Sequence, residues 1–441
     1  MSSANTGYVP VASAPSIARI GVRWFPIVAL IVGTTLFNYL DRTALSVALP
    51  FMNKELALPA SQVLWLSTAF GISYALAQIP GGIFLDRFGT RRTYCFALIC
   101  WSLVTMAFGM VDGIIALFAC RLMLGVFEAP CFPANAKILA TWMPQNERAR
   151  ANGVYAIGQY AGLGLLTVPL LWMLETFGWR ALFFIVGSAG ILYAAIWWRV
   201  YRDPQDCSIV DRDELDHIEA GGGLAPKGDR IAFEWKNIAY LLRQRQVIGA
   251  SLGQFAGNSG LAFFATWFPT YLRDARHMAW LDAGFLTTFT SAAALMGVLT
   301  GGVLSDLLLK ATGSANFARK MPVVGGLFLM STILASMYVP INDNVTVMAI
   351  LSIAFFGQGF TNLGWTVITD IAPKKLIGLT GGIFNFITGI AGIITPLLVS
   401  WTYTSTHSFY VPLAYISVVA LLGVVSYVFI LGDVKRLPEP E

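Results

Sequence analysis

Charged side chains are scarce in this chain, and their scarcity excludes most soluble folds. Asp, Glu, Lys and Arg make up 12% of the 441 residues, whereas soluble domains carry about 25%. Hydrophobic residues make up 56%. This composition indicates an integral membrane protein. In such a protein, a net charge of +5 is expected to reflect basic loops on one side of the bilayer and not nucleic-acid binding.

Residues that commonly build metal and redox sites are also few. The five cysteines are Cys95, Cys100, Cys120, Cys131 and Cys207. They show no metal-ligand spacing, and most lie in apolar segments, where we expect free packing thiols. The three histidines are His217, His277 and His407, each in a separate predicted loop. No nucleotide-binding loop is found either, so the sequence predicts no enzyme, no metal site and no cofactor.

Apolar stretches long enough to cross a bilayer dominate the chain, at about 20 residues per helix. Twelve are predicted, at 24–48, 62–84, 92–111, 114–138, 150–174, 180–200, 247–271, 282–308, 321–340, 345–369, 377–401 and 409–431. The predicted organisation is a tail (1–23), a six-helix bundle (24–201), a hydrophilic linker (202–246), a second six-helix bundle (247–431) and a tail (432–441). We therefore expect an all-α membrane protein of twelve transmembrane helices in two pseudo-symmetric bundles.

Basic residues predict the orientation, because Lys and Arg collect on the cytoplasmic side. With both termini in the cytoplasm, few basic residues fall elsewhere. Those outside are Lys54, Arg180, Arg273 and Arg276, and those within the membrane are Arg42 and Arg121. The first apolar run is too long for the core of a signal peptide, so it is expected to be the first transmembrane helix.

Two pairs of ionisable residues interrupt the apolar spans. Asp41 and Arg42 are neighbours in the first span, and Arg121 and Glu128 lie two helical turns apart in the fourth, on one stripe of the helix. A charge at the centre of a membrane helix costs roughly 3 kcal/mol or more, so such residues face the protein interior and usually have a function.

The two halves of the sequence also repeat each other. The spacing from Gly82 to Asp86 after the second span recurs from Gly302 to Asp306 after the eighth. Parallel six-helix repeats are typical of secondary transporters, which hold their substrate near the midplane between the two halves.

The loop after the second span reads Asp86-Arg87-Phe88-Gly89-Thr90-Arg91-Arg92. It resembles the cytoplasmic loop signature of the major facilitator superfamily. The resemblance implies the major facilitator fold and a conformational gate that stabilises the outward-open state. The gate residues carried over are Asp86, Arg87, Arg91 and Arg92. A basic loop that only fixes orientation is the alternative, and both can hold.

Within that superfamily the chain resembles the anion:cation symporters, above all bacterial permeases for galactonate, glucarate and hexuronates. The matching segments are 38–42, 78–82, 121–130, 132–133, 266–269 and 377–385. This resemblance implies a proton-coupled importer of a sugar-acid anion in the bacterial inner membrane, acting as a monomer. A permease for another organic anion, such as an aromatic carboxylate, or an exporter of the same fold, is the alternative.

Arg42 is the predicted ligand of the substrate carboxylate, because a guanidinium stays protonated and offers a two-pronged fork. The alternative is that it only neutralises Asp41. Asp41 and Glu128 are the predicted proton sites, because desolvation and a nearby cation shift a carboxyl pKa in opposite directions and can bring it near ambient pH. Arg121 is the predicted partner of Glu128, either in a proton-driven switch or in a fixed ion pair.

The resemblance also nominates neutral residues for the sugar hydroxyls, although each could instead bond between helices. They are Tyr39, Tyr74, Gln159 and Asn385, with Trp365 nearby. Asn362 is a further candidate, because its amide could donate to a second polar end of the solute. One departure stands out. Asn362 and Gly364 occupy positions where galactonate permeases carry small hydroxyl side chains. Galactonate is therefore in doubt, and an aldarate, another hexonate or a hexuronate stays open.

Overall fold

The computed structural model describes residues 21–56, 59–162, 166–223, 234–278, 280–340 and 343–440, and within these ranges it contains helices and no strand. The helices of the first half are α1 (Ala29–Leu56), α2 (Ala60–Phe88), α3 (Thr90–Phe108), α4 (Ile114–Glu128), α5 (Cys131–Trp142), α6 (Arg148–Tyr160) and α7 (Thr167–Val200). The linker carries α8 (Arg212–Ala220) and α9 (Trp235–Leu242). The second half contains α10 (Arg245–Thr266), α11 (Phe268–Asp274), α12 (Trp280–Thr312), α13 (Ala315–Ser331), α14 (Asn344–Phe360), α15 (Gly364–Ile371), α16 (Ile377–Thr406) and α17 (Tyr410–Val425).

Helices accompany all twelve predicted spans. Nine stretches of the described chain are long and apolar enough to cross a membrane. The three predicted spans outside this set are formed by α3, by α6 with the start of α7, and by α10 with α11. These helices are more polar, since α6 and α10 place amides such as Gln159 and Gln254 towards the space between the halves.

Several spans are broken, and each break has a local cause. Gly178 interrupts α7 with a φ of +79°, a conformation that glycine adopts without strain, and joins the fifth predicted span to the sixth. The fourth span breaks at Ala129 and Pro130, between α4 and α5. A 3₁₀ turn at Thr361–Leu363 separates α14 from α15 inside the tenth.

The two halves meet along α2 against α16 and along α6 against α12. Backbones approach closely at both contacts. A Cβ atom on Gly82 would lie 2.9 Å from the Cα atom of Leu379, and one on Gly302 would lie 3.2 Å from the Cα atom of Arg150. These two glycines head the repeated segments found in the sequence, so the repeat marks equivalent contacts between the halves.

One end of the bundle carries the linker and both described chain ends, and is called the linker end below. Arg23 donates hydrogen bonds to Glu147 and to Glu214 of α8, while the backbone N–H of Leu437 donates to Ile371. Burial favours the neutral acid of Glu147, but the hydrogen bonds from Arg23 and Trp24 outweigh it and lower the pKa of Glu147. The linker is therefore fastened to the first half by charged contacts.

The contact between α2 and α16 yields a test of stability. We expect Gly82→Ala to lower the thermal unfolding midpoint of the purified protein, because an inserted methyl group meets the α16 backbone, and overpacking costs about 1–3 kcal/mol. Gly325→Ala in α13 is the matched control, since its added Cβ would meet nothing within 4 Å. Equal midpoints for the two variants would contradict a tight contact between the halves.

Candidate functional site

A cavity of about 360 Å³ lies between the halves and combines aromatic, amide and hydroxyl side chains. All seven residues expected from the sequence to contact substrate line it, namely Tyr39, Arg42, Tyr74, Gln159, Asn362, Trp365 and Asn385. They come from α1, α2, α6, the α14–α15 break, α15 and α16. The structure thus brings these residues together, while their role in binding stays a prediction.

Two contacts join the halves across this cavity. The side-chain amide of Asn385 donates to the hydroxyl of Tyr74 at 3.1 Å. The rings of Phe132 and Trp365 stack with centroids 5.6 Å apart. The cavity wall therefore depends on both bundles, and a relative movement of the bundles must change its shape.

Arg42 is the charged feature of the cavity wall. Its guanidinium carbon lies 4.8–4.9 Å from the ring centroids of Tyr39, Phe70 and Tyr74. Its Nε donates to Oε2 of Glu128 at 3.0 Å, and its Nη2 lies 3.0 Å from the same oxygen. The guanidinium thus lies over three aromatic rings, and one carboxylate oxygen of Glu128 contacts its Nε and Nη2 atoms.

Glu128 is fully buried behind Arg42 and binds through one oxygen only. Oε2 accepts hydrogen bonds from Arg42 and, at 2.9 Å, from the amide of Asn38. Oε1 is buried and accepts no hydrogen bond from the described residues. A proton could bind Oε1 without displacing a hydrogen-bond donor. The carboxyl group would then be neutral, and Arg42 would lose its anionic partner.

The expected ion pair between Arg121 and Glu128 is not formed, and this corrects the sequence analysis. Arg121 instead donates from Nε to the carbonyl of Leu66 at 3.2 Å and lies over the ring of Phe70. Arg121 and Glu128 lie on one stripe of α4, but spacing within one helix does not predict contacts between helices. Arg42 of α1 pairs with Glu128, although Arg121 was expected to. Arg121 still lies near enough to contribute positive potential to the same region.

Asp41 is buried but is not one of the residues that line the cavity. It points from α1 towards Thr105 of α3, on another side of the helix from Arg42. Neighbouring residues of a helix point about 100° apart, which explains the separation. Of the residues Asp41, Arg42, Arg121 and Glu128, Arg42 is the one that lines the cavity.

Asp86 joins the halves at the linker end. Its carboxylate accepts hydrogen bonds from the backbone N–H groups of Gly378 and Leu379, at 2.9 and 2.7 Å, and from Lys137 at 2.7 Å. An acidic group at a helix N-terminus stabilises the exposed N–H groups and the helix dipole. Asp306 does the same in the other half, accepting from the backbone N–H of Arg150 at the start of α6.

The three arginines of the predicted gate make different contacts. Arg91 donates to the carbonyl of Trp198 and lies over its ring, Arg87 lies over Phe88, and Arg92 borders an apolar pocket between α2, α3 and α4. All of these contacts lie within the first half. They fit a basic loop that sets orientation, and a gating role for the arginines stays a prediction.

Sequence analysis missed a buried ion-pair network at the linker end. Asp370 pairs with Arg148 at 2.8 Å and with Arg319 at 3.0 Å, and Arg319 also pairs with Asp306 at 2.9 Å. The Arg148 side chain reaches the linker as well, donating to the carbonyl of Gly222 at 2.6 Å. Each residue lies at the end of a predicted span, where a charge looks like an ordinary loop residue.

The family follows from a profile comparison. The profile described as Major Facilitator Superfamily matches residues 31–396, most of the chain. The chain belongs to the major facilitator superfamily. It is therefore a multi-pass membrane transporter and not an enzyme. A solved structure of the proton:xylose symporter XylE shares the fold, with a TM-score of 0.69 at 14% identity over 93% of this chain and 95% of that one.

Relatives with assigned substrates cover almost the whole chain. The D-galactonate transporter of Escherichia coli O6:H1 is 40% identical over 95% of this chain and 98% of its own length. The probable galactarate/D-glucarate transporter GudP of E. coli K12 is 38% identical over 95% of both. The hexuronate transporter of Bacillus subtilis is 28% identical over 87% of this chain and 89% of its own. The chain is thus similar over nearly its whole length to bacterial sugar-acid transporters.

The buried network yields a prediction about closure. We expect Asp370→Asn to lower the thermal midpoint and to open the linker end, because two buried arginines lose an anion, and breaking such a pair costs about 3–5 kcal/mol. Opening is measured as faster maleimide labelling of a cysteine at Ala140, buried between the halves, in a chain whose native cysteines are replaced. Asp213→Asn, on the exposed face of α8, is the control. Unchanged labelling would refute a closing role for Asp370.

Proposed function

We propose that this transporter imports a sugar-acid anion (a hexonate, aldarate or hexuronate) together with protons, by alternating access. The observation that carries the proposal is the position of Arg42. It lines the cavity between the halves and is at the same time held by a buried carboxylate, Glu128. The substrates named for the relatives are all sugar acids, which supports the same class of solute here.

Competition for Arg42 gives the coupling mechanism. A substrate carboxylate needs the guanidinium edge, and Glu128 occupies that edge when it is ionised. Protonation of Glu128, for which Oε1 is available, neutralises the competitor and leaves the cation to the substrate. Proton and anion then bind together, which is the requirement for symport.

Charge balance favours the same mechanism. The charged side chains in the interior of the first and fourth predicted spans are Asp41, Arg42, Arg121 and Glu128. Their charges cancel when all four are ionised, so a bound monoanion would leave an excess negative charge unless one carboxyl takes up a proton. Entry of an anion into a cell also works against about 2.3 kcal/mol per charge per 100 mV, and cotransported protons remove this opposition.

Orientation and gating complete the proposal. The excess of basic residues assigns the linker end and both termini to the cytoplasm, in the inner membrane. Asp86 and the Asp370 network then close the cytoplasmic side in this conformation. The cavity would load from the periplasm and release its solute after these contacts separate.

Uptake into proteoliposomes tests the proposal. An imposed inside-alkaline gradient should stimulate accumulation of at least one hexonate, aldarate or hexuronate from a panel that also contains aromatic acids. Uptake that does not respond to the gradient would contradict proton coupling. Preferential uptake of an aromatic acid would contradict the assignment of sugar acids as the solute class. Gradient-driven efflux without uptake would identify an exporter.

A substitution of Arg42 tests the proposed ligand of the substrate carboxylate. We expect Arg42→Ala to abolish saturable binding of the sugar acid, because the carboxylate loses the one cationic ligand among the described residues that line the cavity. Arg42→Lys should retain weak binding, since lysine keeps the charge but not the planar fork. Arg199→Ala, on the exposed linker end of α7, is the control. Isothermal calorimetry measures the affinities, and undiminished binding by Arg42→Ala would move the carboxylate site elsewhere.

The pH dependence of substrate affinity tests the proposed role of Glu128. Substrate affinity of the wild-type protein should fall as pH rises, because deprotonated Glu128 competes for Arg42. Glu128→Gln removes the competing charge, so its affinity should become independent of pH, and gradient-driven accumulation should be lost while counterflow exchange persists. Affinity measured between about pH 5 and pH 9 separates the two curves. Loss of exchange as well as accumulation would assign Glu128 a structural role instead.

A further inference from the structure

A further cavity, of about 340 Å³, opens on the outer surface of the first half, between α2, α3 and α4. It is called the outer groove below. Its wall includes Phe84, Phe96 and Val126, which are 52%, 63% and 46% exposed. None of these residues lines the cavity between the halves, so they face the surroundings of the bundle. In a membrane protein those surroundings are lipid.

Packing within the first half shapes the outer groove. Gly81 of α2 and Pro130, at the break between α4 and α5, both line it. These two residues approach so closely that a Cβ atom on Gly81 would lie 3.1 Å from Cγ of Pro130. On another side, the rings of Phe96 of α3 and Phe127 of α4 meet edge to face, with centroids 6.2 Å apart. The walls are therefore held by contacts between three helices.

The length of the outer groove matches one leaflet of a bilayer. Along α2 its lining extends from Ala77 to Phe88, the last residue of the helix. Eleven residue steps of helix rise about 16 Å, which is about half of the roughly 30 Å of bilayer hydrocarbon. The groove thus runs from the linker end of α2 to about the middle of the membrane. An acyl chain of a single leaflet covers the same depth and is apolar like the groove.

The linker end of the outer groove carries positive charge. Arg92 of α3 is the one charged residue among the described residues that line the groove, and it is exposed. Arg87, also exposed, lies at the end of α2 over the ring of Phe88. Neither arginine forms an ion pair with a described residue, because the nearby carboxylate of Asp86 binds Lys137 and the start of α16 instead. An anion from outside the chain can therefore bind both arginines.

We propose that the outer groove binds an anionic phospholipid of the leaflet at the linker end. One acyl chain lies along α2, and the phosphate lies between Arg92 and Arg87. Basic residues at the end of a cleft between transmembrane helices attract negative headgroups. A zwitterionic lipid offers the same chains, but its own amine offsets the phosphate charge, so it should bind more weakly. The site is separate from the cavity between the halves and does not depend on which solute is transported.

Photocrosslinking of lipid tests the site. The full chain is reconstituted in phosphatidylcholine nanodiscs that contain a small fraction of phosphatidylglycerol with a diazirine in one acyl chain, and mass spectrometry maps the labelled peptides. Labelling should concentrate on the groove-lining segments of α2, α3 and α4. Unlabelled phosphatidylglycerol should compete roughly fivefold better than phosphatidylcholine with the same chains. Labelling spread evenly over the outer faces of both halves would overturn the site, and equal competition by the two lipids would overturn the choice of an anionic lipid.

Two charge variants test the headgroup contacts in the same assay. Arg92→Gln should reduce the preference for phosphatidylglycerol over phosphatidylcholine, and the double variant Arg87→Gln/Arg92→Gln should abolish it, because the phosphate loses both cations. Arg199→Gln is the matched control, since Arg199 is an exposed arginine at the linker end of α7 that does not line the groove. A preference that persists in the double variant would overturn the assignment of the headgroup to these arginines.

A filled groove tests the position of the acyl chain. Ala77→Phe places a ring at the deep end of the groove and should reduce labelling of its walls several-fold. Ala119→Phe, at an exposed position of α4 off the groove, should leave labelling as in the wild-type protein. Wall labelling that is equally strong in both variants would overturn the placement of the chain. A single symmetrical peak in size-exclusion chromatography shows that a variant is folded, and the charge variants test the site independently of Ala77→Phe.

Discussion

The ion pair between Arg42 and Glu128 is the constraint on which the site depends. A guanidinium at mid-depth in a membrane protein needs an anion, and the fold supplies one that can be neutralised by a proton. Three aromatic rings contact the guanidinium of Arg42 at the cavity wall. The proposed mechanism uses this position, because a solute anion and the buried carboxyl can then compete for the same cation.

The rest of the fold explains why that competition can be linked to movement. The cavity wall is shared by both bundles, and the bundles are joined at the linker end by helix-capping carboxylates and buried ion pairs. Close glycine contacts such as Gly82 against α16 need no interdigitating side chains, so these surfaces can separate and meet again as rigid bodies. In the proposed cycle, a change of charge at Glu128, beside Arg42, and a change of contact at Asp370 belong to one rearrangement.

The sequence was sufficient to predict the membrane spans, which depend on runs of apolar residues, and the ionisable residues within them, because a charge in lipid is costly. Each of the twelve predicted spans coincides with helical segments of the described chain, and the seven residues selected for substrate contact do line one cavity. The sequence failed where partners come from distant helices. Arg121 shares a stripe with Glu128, yet Arg42 of α1 takes the carboxylate, and no spacing rule covers packing between helices. Gln254 and Gln358 were overlooked because a glutamine in an apolar span gives the same pattern whether it bonds to a neighbouring helix or lines a cavity.

The cavity wall carries Arg42 on the first half and the amides of Gln254, Asn258 and Gln358 on the second, and this arrangement bears on transport. A solute that places its carboxylate on α1 and its hydroxyls on α10 and α14 bridges the two bundles, so its binding energy is available only when both walls are at the correct distance. A fragment that satisfied one wall would bind without drawing the bundles together. In the proposed cycle, the placement of Arg42 and the amides on opposite halves couples recognition to closure, which a site built within one bundle could not provide.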